Sequence, residues 1–226
     1  MYQPGDIVTH TDICVFEGFT VQQGMNFHTG RDNVSVLLMS TAKNSPYDDE
    51  VQDGGRTVIY EGHDIRRDLV QGNPKLYDQP IKLPSGKLTA NGKFYRAAKN
   101  KNKETVRLYE KIKPGIWVYN GSFSLLDAWF QSAGKRRVIK FKLTILDSDG
   151  PSSNGVSELQ QGRMIPSRVK FAVYKRDGGR CVICGAKDNL HFDHIIPFSK
   201  GGTSLKEENI QILCARHNLS KSDKII

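Results

Sequence analysis

Long hydrophobic runs and a secretion signal are the first features that this sequence lacks. The longest apolar runs, such as VLLM at Val36–Met39, are far shorter than the roughly 20 residues that a membrane-spanning helix needs. The N-terminal stretch MYQPGDIVTH has no basic segment followed by an apolar one, so it does not have the layout of a signal peptide. We therefore expect a soluble, cytoplasmic protein with no membrane partner.

Cysteine is also scarce, with four residues in a chain of 226. Cys14 stands alone, whereas Cys181, Cys184 and Cys214 fall in the last fifth of the sequence. This distribution argues against the evenly spread disulfide framework of a secreted domain. Clustered cysteines beside a histidine indicate a metal site instead.

The charge is unbalanced towards lysine and arginine, with a formal net charge of +9. From Arg163 onward there are 12 Lys and Arg against 6 Asp and Glu, which leaves 21 against 18 for the first 162 residues. A basic excess indicates a nucleic-acid partner, although charge alone gives only non-specific attraction. Against this background, YDDEVQDGGRTVIYEGHD at Tyr47–Asp64 contains six carboxylates. It is either a solvated loop or a segment whose acids contact a specific ligand.

The first 150 residues alternate short β-prone runs with turn signals, which is typical of a β-barrel or sandwich. Helical signal is thin there, and SLLDAWFQSAG is the best candidate for a short helix. A seam rich in serine and glycine, DSDGPSSNG, begins at Asp147 and predicts a boundary. We expect domains at 1–150 and 163–226, joined by a linker at 151–162. The predicted strands are DICVFEGFTV, NVSVLLMS, RTVIYEG, ETVRLYEKI, GIWVYNGSF and RRVIKFKLTIL.

After the seam, PSRVKFAVYKRDGG predicts a helix that begins near Pro166 and ends at Gly178-Gly179. Two pairs of candidate ligands follow, CVIC and CARH, each with two residues between its members. This spacing allows both pairs to meet one ion, and three cysteines with one histidine form an ordinary tetrahedral zinc set. The alternative is that the cysteines are small buried hydrophobes. We expect structural zinc on which this module depends for folding, held by Cys181, Cys184, Cys214 and His217.

Between the pairs lies LHFDHIIPFSKGGTSLKEENIQILC, whose Asp193-His194 we expect to enter a turn before Pro197. A neutral histidine is well matched to deprotonate water near pH 7. An adjacent carboxylate is a natural ligand for magnesium or manganese beside a scissile phosphate. Asn209 and Asn218 could supply an amide oxygen ligand and a hydrogen bond that fixes the histidine.

Taken in order, these residues resemble the HNH (ββα-metal) nucleases over about Val169 to Lys221. The resemblance implies that His194 is the general base on a β-hairpin and that Asp193 binds Mg²⁺ or Mn²⁺. It also implies that Asn209 steadies the base, that Asn218, opening the final helix, is the second metal ligand, and that Lys221 contacts phosphate.

Two histidines of this segment need separate comment. His217 stands where the family often has a fourth zinc cysteine, which is a chemically conservative change. His191 alternates with Asp193 on the presumed strand. It is either a neighbour of phosphate or metal or a packed structural histidine.

The first 150 residues resemble the SRA (YDG) domain, which binds DNA and flips a modified cytosine into a pocket. The matching pieces run in order: SVLLMS, YDDEVQDGG leading into YEGHD, YDQPI, NGKFYRA, TVRLYEKI and WVYNGSF. One departure is YNG, where Asn120 replaces the aspartate of the family motif. Asn120-Gly121 is still expected to form a turn.

The resemblance implies that Tyr47 and Tyr60 stack on the flipped base and that the backbone of Glu61-Gly62 meets its Watson–Crick edge. A carboxylate accepts a hydrogen bond from the cytosine amine, and the resemblance gives this role to Asp49. One extra residue in the register leaves Glu50 and Asp48 as alternatives. Tyrosines in β-rich segments are, however, more often core residues than base plates.

Together these features predict an α+β protein of two domains, an SRA-like twisted β-barrel with short helices and a zinc-stabilised ββα-metal HNH domain. The predicted function is a modification-dependent DNA endonuclease of restriction type that reads 5-methyl- or 5-hydroxymethylcytosine in double-stranded DNA. One HNH site cuts one strand, so a homodimer is possible, and the seam would set the distance from mark to cut. Alternatives are a modified-DNA reader with a non-catalytic zinc module, and a repair or mobile-element nuclease that ignores cytosine modification.

Overall fold

The computed structural model describes residues 1–100, 104–146, 164–197, 200–222 and 224–225, so the predicted linker at 151–162 lies outside the described residues. The strands of this part are β1 Asp6–Thr9, β2 Met25–Asn26, β3 Ser35–Met39, β4 Glu50–Gln52, β5 Thr57–Glu61, β6 Glu104–Lys113, β7 Ile116–Ala133, β8 Arg136–Ile145, β9 Leu190–His194 and β10 Ile210–Cys214. The α-helices are α1 His10–Glu17, α2 Ala90–Lys99, α3 Ser167–Arg176 and α4 Ala215–Lys221.

The described strands form one branched sheet around the long strand β7. One path runs β10-β9-β1-β7-β6-β3-β2, and a branch continues from β7 through β8 and β5 to β4. The first part of β7 pairs with β1 and β6, and its later part pairs with β8. The α+β class is thereby confirmed, with a sheet-rich N-terminal body and a small C-terminal module.

The predicted helix SLLDAWFQSAG is wrong, because its residues continue β7. Phe123 and Leu125 are buried while Leu126 is exposed, and a register shift after Leu125 brings Ala128 back into the core. The segment is paired with β8 along its length with one bulge, which defines a strand.

The structure also corrects the predicted strand DICVFEGFTV, whose first six residues are helical. DICVFE belongs to α1, which begins with a capping box in which Thr9 Oγ1 accepts a hydrogen bond from the Asp12 N–H and the Asp12 carboxylate accepts one from the Thr9 N–H. NGKFYRA forms α2, where Thr89 caps the first turn and Phe94 is fully buried against the sheet.

Asn120 and Gly121 do not form the expected turn, because both lie inside β7. Leu108 pairs with Gly121 and Tyr109 pairs with Tyr119, so Asn120 is the extra residue of a β-bulge. Gly121 has φ +108°, a conformation that favours glycine. A bulge re-aims the side chain of its unpaired residue.

The C-terminal module packs onto the N-terminal sheet through a shared apolar core. Val169 and Val173 of α3, which forms as predicted, meet Phe192 of β9 and also Ile112 and Val118 of β6 and β7. A second core lies under α2, between the branches of the sheet. Among the described residues, no helix combines the length and the hydropathy that a membrane crossing requires.

Candidate functional site

The C-terminal candidate residues lie on two antiparallel strands and the helix that follows them. Strands β9 and β10 pair with Asp193 opposite Gln211 and His194 opposite Ile210. Asp193 and His194 are the last two residues of β9, so the predicted turn comes after them. Helix α4 begins directly after Cys214, which is its N-cap.

Four ligand atoms of the predicted zinc set converge within 4.8 Å of one another. The Sγ atoms of Cys181 and Cys214 lie 3.4 and 3.3 Å from His217 Nδ1, and the Sγ atoms of Cys184 and Cys214 are 3.9 Å apart. Tetrahedral zinc with bonds of about 2.3 Å to sulfur and 2.0 Å to nitrogen separates such ligand atoms by about 3.5–3.8 Å. The donor set and its spacing therefore fit zinc.

The polypeptide around the cluster is arranged to hold thiolates. Burial opposes ionisation of the Cys181 thiol, but hydrogen bonds from the backbone at residues 214, 184 and 183 and from His217 lower its pKa to about 6. Gly185, with φ +73°, closes the knuckle by donating its N–H to the Cys181 carbonyl. Since Cys214 and His217 bracket the start of α4, the cluster also fixes the helix that carries Asn218.

His194 is held at both its ring and its backbone. Its Nε2 lies 2.8 Å from the hydroxyl of Ser204, which is 1% exposed. Its carbonyl accepts a hydrogen bond from Lys221 Nζ at 2.7 Å. A hydrogen bond at one ring nitrogen selects the tautomer and orients the other nitrogen.

Asp193 faces a buried ammonium group. Lys221 Nζ lies 3.1 Å from Asp193 Oδ2, which also accepts a hydrogen bond from Gln211 at 3.3 Å. The sequence had suggested that Lys221 contacts a phosphate at the surface. In the structure Lys221 is 2% exposed and its side chain is turned inward. Asn218 precedes Lys221 by three residues on α4 and so shares the face that meets β9. A carboxylate and an amide on facing elements are suitable oxygen ligands for a hard divalent cation.

Asn209 braces the loop that follows the histidine. Its Oδ1 accepts a hydrogen bond from the Ile196 N–H at 2.8 Å, and its Nδ2 donates to the carbonyls of Ile196 and Thr203 at 3.2 and 3.0 Å. The backbone carbonyl of Asn209 accepts from the Ile195 N–H at 2.8 Å. These contacts position the segment after His194 and its partner Ser204.

His191 points away from this cluster towards the N-terminal sheet. Its Nδ1 contacts the carboxylate of Asp6 on β1, and Asp6 pairs with His191 in the strand ladder. The contact therefore joins the two predicted domains, with Asp6 in the first and His191 in the second.

A cavity of about 470 Å³ lies in the N-terminal body, beside the acidic segment. Its wall includes Tyr47, Asp48, Asp49 and Glu61, and the segment between β3 and β4 forms much of its rim. The opposite wall comes from the end of β7 and from β8. Three of the predicted base-contacting residues are thereby brought to one cavity.

The three candidate acids differ in their surroundings. Asp49 accepts hydrogen bonds from the N–H groups of Glu61 at 2.9 Å and Ser40 at 3.1 Å. Burial raises the pKa of Asp49 to about 7, although these hydrogen bonds and nearby Lys140 oppose the rise. The Asp48 side chain is 88% exposed and Glu50 is also exposed, on β4 outside the cavity wall.

The two candidate stacking residues also differ. Tyr47 lies at the cavity, where its ring stacks on His63 with centroids 5.6 Å apart and Lys75 Nζ lies 4.9 Å from its centroid. Tyr60 is 1% exposed within the N-terminal core, and its hydroxyl donates to the Leu38 carbonyl at 3.3 Å. The Tyr60 ring is therefore a core side chain in this structure and offers no open face to a base.

The backbone of Glu61 and Gly62 is already engaged. The Glu61 N–H donates to Asp49, and the Gly62 N–H donates to the Ile139 carbonyl at 2.8 Å. The Gly62 carbonyl accepts from Gln79 Nε2 at 2.6 Å. These groups order the cavity wall, so a base would meet the side chains that line the wall.

Two polar residues of the sites were missed by sequence reasoning. Ser204 contacts His194 across a loop and carries no motif of its own. Lys140 is 3% exposed at the cavity wall, with its Nζ 3.1 Å from the Glu61 carboxylate. The run RRVIKFKLTI gave no signal, because Lys140 alternates with the core residues Ile139 and Phe141 and so stands where an exposed lysine is expected.

Residues 181–224 match the family model described as HNH endonuclease. This segment contains the zinc ligand set together with β9, β10 and α4, so the resemblance of the C-terminal module to HNH nucleases is confirmed. The match covers less than half of the chain. No curated protein matches the sequence.

Solved structures similar to the chain include an SRA domain of SUVH5 with hemimethylated CG DNA, at 21% identity, 68% coverage of this chain, 94% of that chain and a TM-score of 0.45. The same domain with fully hydroxymethylated CG DNA gives 17% identity, 68% and 91% coverage and a TM-score of 0.45. The modification-dependent TagI restriction endonuclease gives 16% identity, 96% and 76% coverage and a TM-score of 0.43. Because these TM-scores lie below 0.5, the SRA-like reading of the N-terminal body stays a prediction.

Proposed function

We propose that the chain is a modification-dependent DNA endonuclease of restriction type. Its C-terminal module hydrolyses a phosphodiester bond, and its N-terminal cavity receives a 5-methyl- or 5-hydroxymethylcytosine flipped out of the duplex. The observation that carries the proposal is the HNH match over a module whose Asp193 and His194 end one strand beside α4. The cavity at Tyr47 and Asp49 supports the choice of substrate.

In the nuclease centre, His194 takes the proton from the attacking water, while the contact of Ser204 with its Nε2 orients the ring. Asn209 maintains the loop between these two residues. Asp193 and Asn218 would hold a Mg²⁺ or Mn²⁺ ion, which would supply positive charge beside the scissile phosphate. The zinc set fixes the start of α4, the helix that carries Asn218.

In the cavity, a flipped cytosine is recognised by its hydrogen-bonding edge and by the faces of its ring. Tyr47, backed by His63, provides an aromatic surface. The carboxyl group of Asp49 accepts from the cytosine amine. It is held rigidly by the N–H groups of Glu61 and Ser40, so it needs little reorganisation on binding.

The charge of the chain supports a duplex partner. The net charge of +9 provides the non-specific attraction for phosphates, and the cavity provides discrimination. A double-strand break requires a homodimer or two binding events, because one nuclease module cuts one strand.

The proposal is tested with three duplexes of identical sequence whose single target cytosine is unmodified, 5-methylated or 5-hydroxymethylated. Each is incubated with the protein and Mg²⁺ or Mn²⁺, and nicks are resolved on denaturing gels. We expect nicking of the modified duplexes and at least a tenfold slower reaction on the unmodified one. His194→Ala removes the proposed base and should abolish nicking of every duplex while retaining DNA binding.

The same assay separates the alternatives. Equal cutting of the modified and unmodified duplexes by the wild type would refute modification dependence and favour a repair or mobile-element nuclease. Binding of modified DNA with no difference in nicking between wild type and His194→Ala would leave a reader with a non-catalytic zinc module. Asp49→Ala should lose the preference for modified DNA and keep residual nicking.

A further inference from the structure

The nuclease module is joined to the N-terminal sheet by more than the connecting segment. Strand β1 pairs with β7 on one side and with β9, which ends at His194, on the other. Helix α3 packs on β6, and Ile112 and Val118 of the N-terminal body belong to the core of the nuclease module. The catalytic strand is thus continuous with the sheet that bears the cavity.

A buried charged cluster lies within this junction. Lys170 of α3 places its Nζ 2.9 Å from Glu110 Oε2 and 2.6 Å from Asn120 Oδ1. Glu110 is 0%, Asn120 1% and Lys170 2% exposed. Burial favours the neutral acid, yet Lys170 and the hydrogen bonds of the cluster lower the pKa of Glu110, so the pair is ionic.

The same glutamate reaches the cavity. Its other oxygen, Oε1, accepts a hydrogen bond of 2.9 Å from the hydroxyl of Thr41, and Thr41 lies on the cavity rim. One buried carboxylate therefore contacts the rim of the base cavity and the helix of the nuclease module. Such a group holds both partners to one geometry, because leaving either oxygen unpaired in the interior is costly.

Asn120 completes the cluster through the β-bulge of β7. Its Nδ2 donates to Glu110 Oε2 at 3.2 Å while its Oδ1 accepts from Lys170. A neutral amide suits this position, because one ammonium and one carboxylate already balance. An aspartate here would bury a second negative charge against a single cation.

We propose that Lys170 and Glu110 are positioning residues that fix the nuclease module against the base cavity, so that this interface sets the distance between modified cytosine and cut. This inference rests on the proposed function. It replaces the sequence-based expectation that the connecting segment sets the distance. In this account the cut position depends on the buried salt bridge between Lys170 and Glu110.

The two accounts differ in what a longer connection does. If a flexible chain set the distance, doubling a segment of 12 residues would raise its root-mean-square reach from roughly 19 to roughly 27 Å, or about two steps of 3.4 Å along a DNA strand. If the interface sets the distance, the same insertion leaves the cut where it was.

The experiment uses an end-labelled duplex with a single 5-methylcytosine and maps cuts at nucleotide resolution. We compare the wild type, an insertion of 12 Gly/Ser residues at 151–162, Lys170→Met and Glu110→Gln. Lys175→Met, an exposed lysine of the same helix, is the matched control. We expect a narrow cut distribution for the wild type, the insertion and Lys175→Met, and at least a twofold broader one for Lys170→Met and Glu110→Gln.

A shift of about two nucleotides with the insertion, or an unchanged distribution in soluble Lys170→Met, overturns the inference and leaves the proposed function intact. If Lys170→Met fails to fold, two other variants test the inference in its place. They are the insertion and Lys170→Arg, which keeps the charge and changes the length of the side chain. Equal cutting of unmodified duplex by the wild type refutes the proposed function and this inference with it. A loss of thermal stability alone does not move cut positions, so the map distinguishes positioning from a merely structural role.

Discussion

The hydrogen bond between Ser204 and His194 gives a quantitative test of the proposed nuclease centre. Ser204→Ala removes a buried hydroxyl that lies 2.8 Å from His194 Nε2. A hydrogen bond of this kind contributes about 0.5–1.5 kcal/mol net, and the upper end of this range corresponds to about a factor of ten in rate. We expect kcat for nicking to fall about tenfold because the ring loses its fixed orientation. KM should not change, since Ser204 is 1% exposed and does not reach DNA.

The assay is single-turnover nicking of a duplex with one modified cytosine at saturating Mg²⁺. Ser204→Thr retains the hydroxyl and should keep most of the activity. Ser124→Ala is the matched control, because Ser124 is 3% exposed on β7 and its hydroxyl has no hydrogen-bond partner among the described residues. Nicking by Ser204→Ala within twofold of the wild type, or an equal loss in Ser124→Ala, would refute the reasoning.

Three further predictions concern the zinc set and the cavity. His217→Ala should lower bound zinc measured by elemental analysis and, since the metal links β10 to α4, unfold the nuclease module in thermal melts; retained zinc and an unchanged melt would contradict the assignment. Asp49 has a folded pKa of about 7, above its unfolded value, so its contribution to stability is present below about pH 4 and is lost as the pH rises through 7. The Tm of wild type relative to Asp49→Asn should therefore fall between pH 5 and pH 8, and a difference independent of pH would contradict this. Tyr47→Ala should weaken binding to modified duplex by roughly 10-fold or more through lost stacking, whereas Tyr60→Phe, in the core, should bind within twofold of wild type in a fluorescence titration.

Much of the C-terminal module could be predicted because its signals are local. Two ligand pairs with two intervening residues each give the zinc set, and the structure brings all four ligand atoms together. A histidine after an aspartate, followed by proline and glycine, marks the end of a strand. What sequence could not give is the contact of Ser204 with His194, since the loop that joins them has no pattern of its own.

The elements of the N-terminal body were harder to predict from sequence, because several of its apolar runs are short. DICVFE has enough β-branched and aromatic residues to suggest a strand, but the capping box from Thr9 to Asp12 starts a helix. This signal was present in the sequence and was outweighed by composition. The opposite error occurred at SLLDAWF, where tertiary pairing with β8 overrides local helical preference. Long-range contacts also determine whether the Tyr60 ring is exposed, because its burial depends on strands far away in the chain.

Part of the acidic segment now has a physical explanation, because the charges of Glu61 and Asp64 are compensated inside the fold. Lys140 lies 3.1 Å from the carboxylate of Glu61, and Arg136 contacts both Glu61 and Asp64. The Asp49 carboxyl is instead held by backbone N–H groups, and burial raises its pKa more than these hydrogen bonds and Lys140 lower it. Asp48, Glu50 and Asp53 of the segment are exposed, so only the acids at the cavity wall are compensated in this way. Since Lys140 and Arg136 neutralise part of the wall, the exposed basic residues elsewhere remain available for the proposed duplex partner.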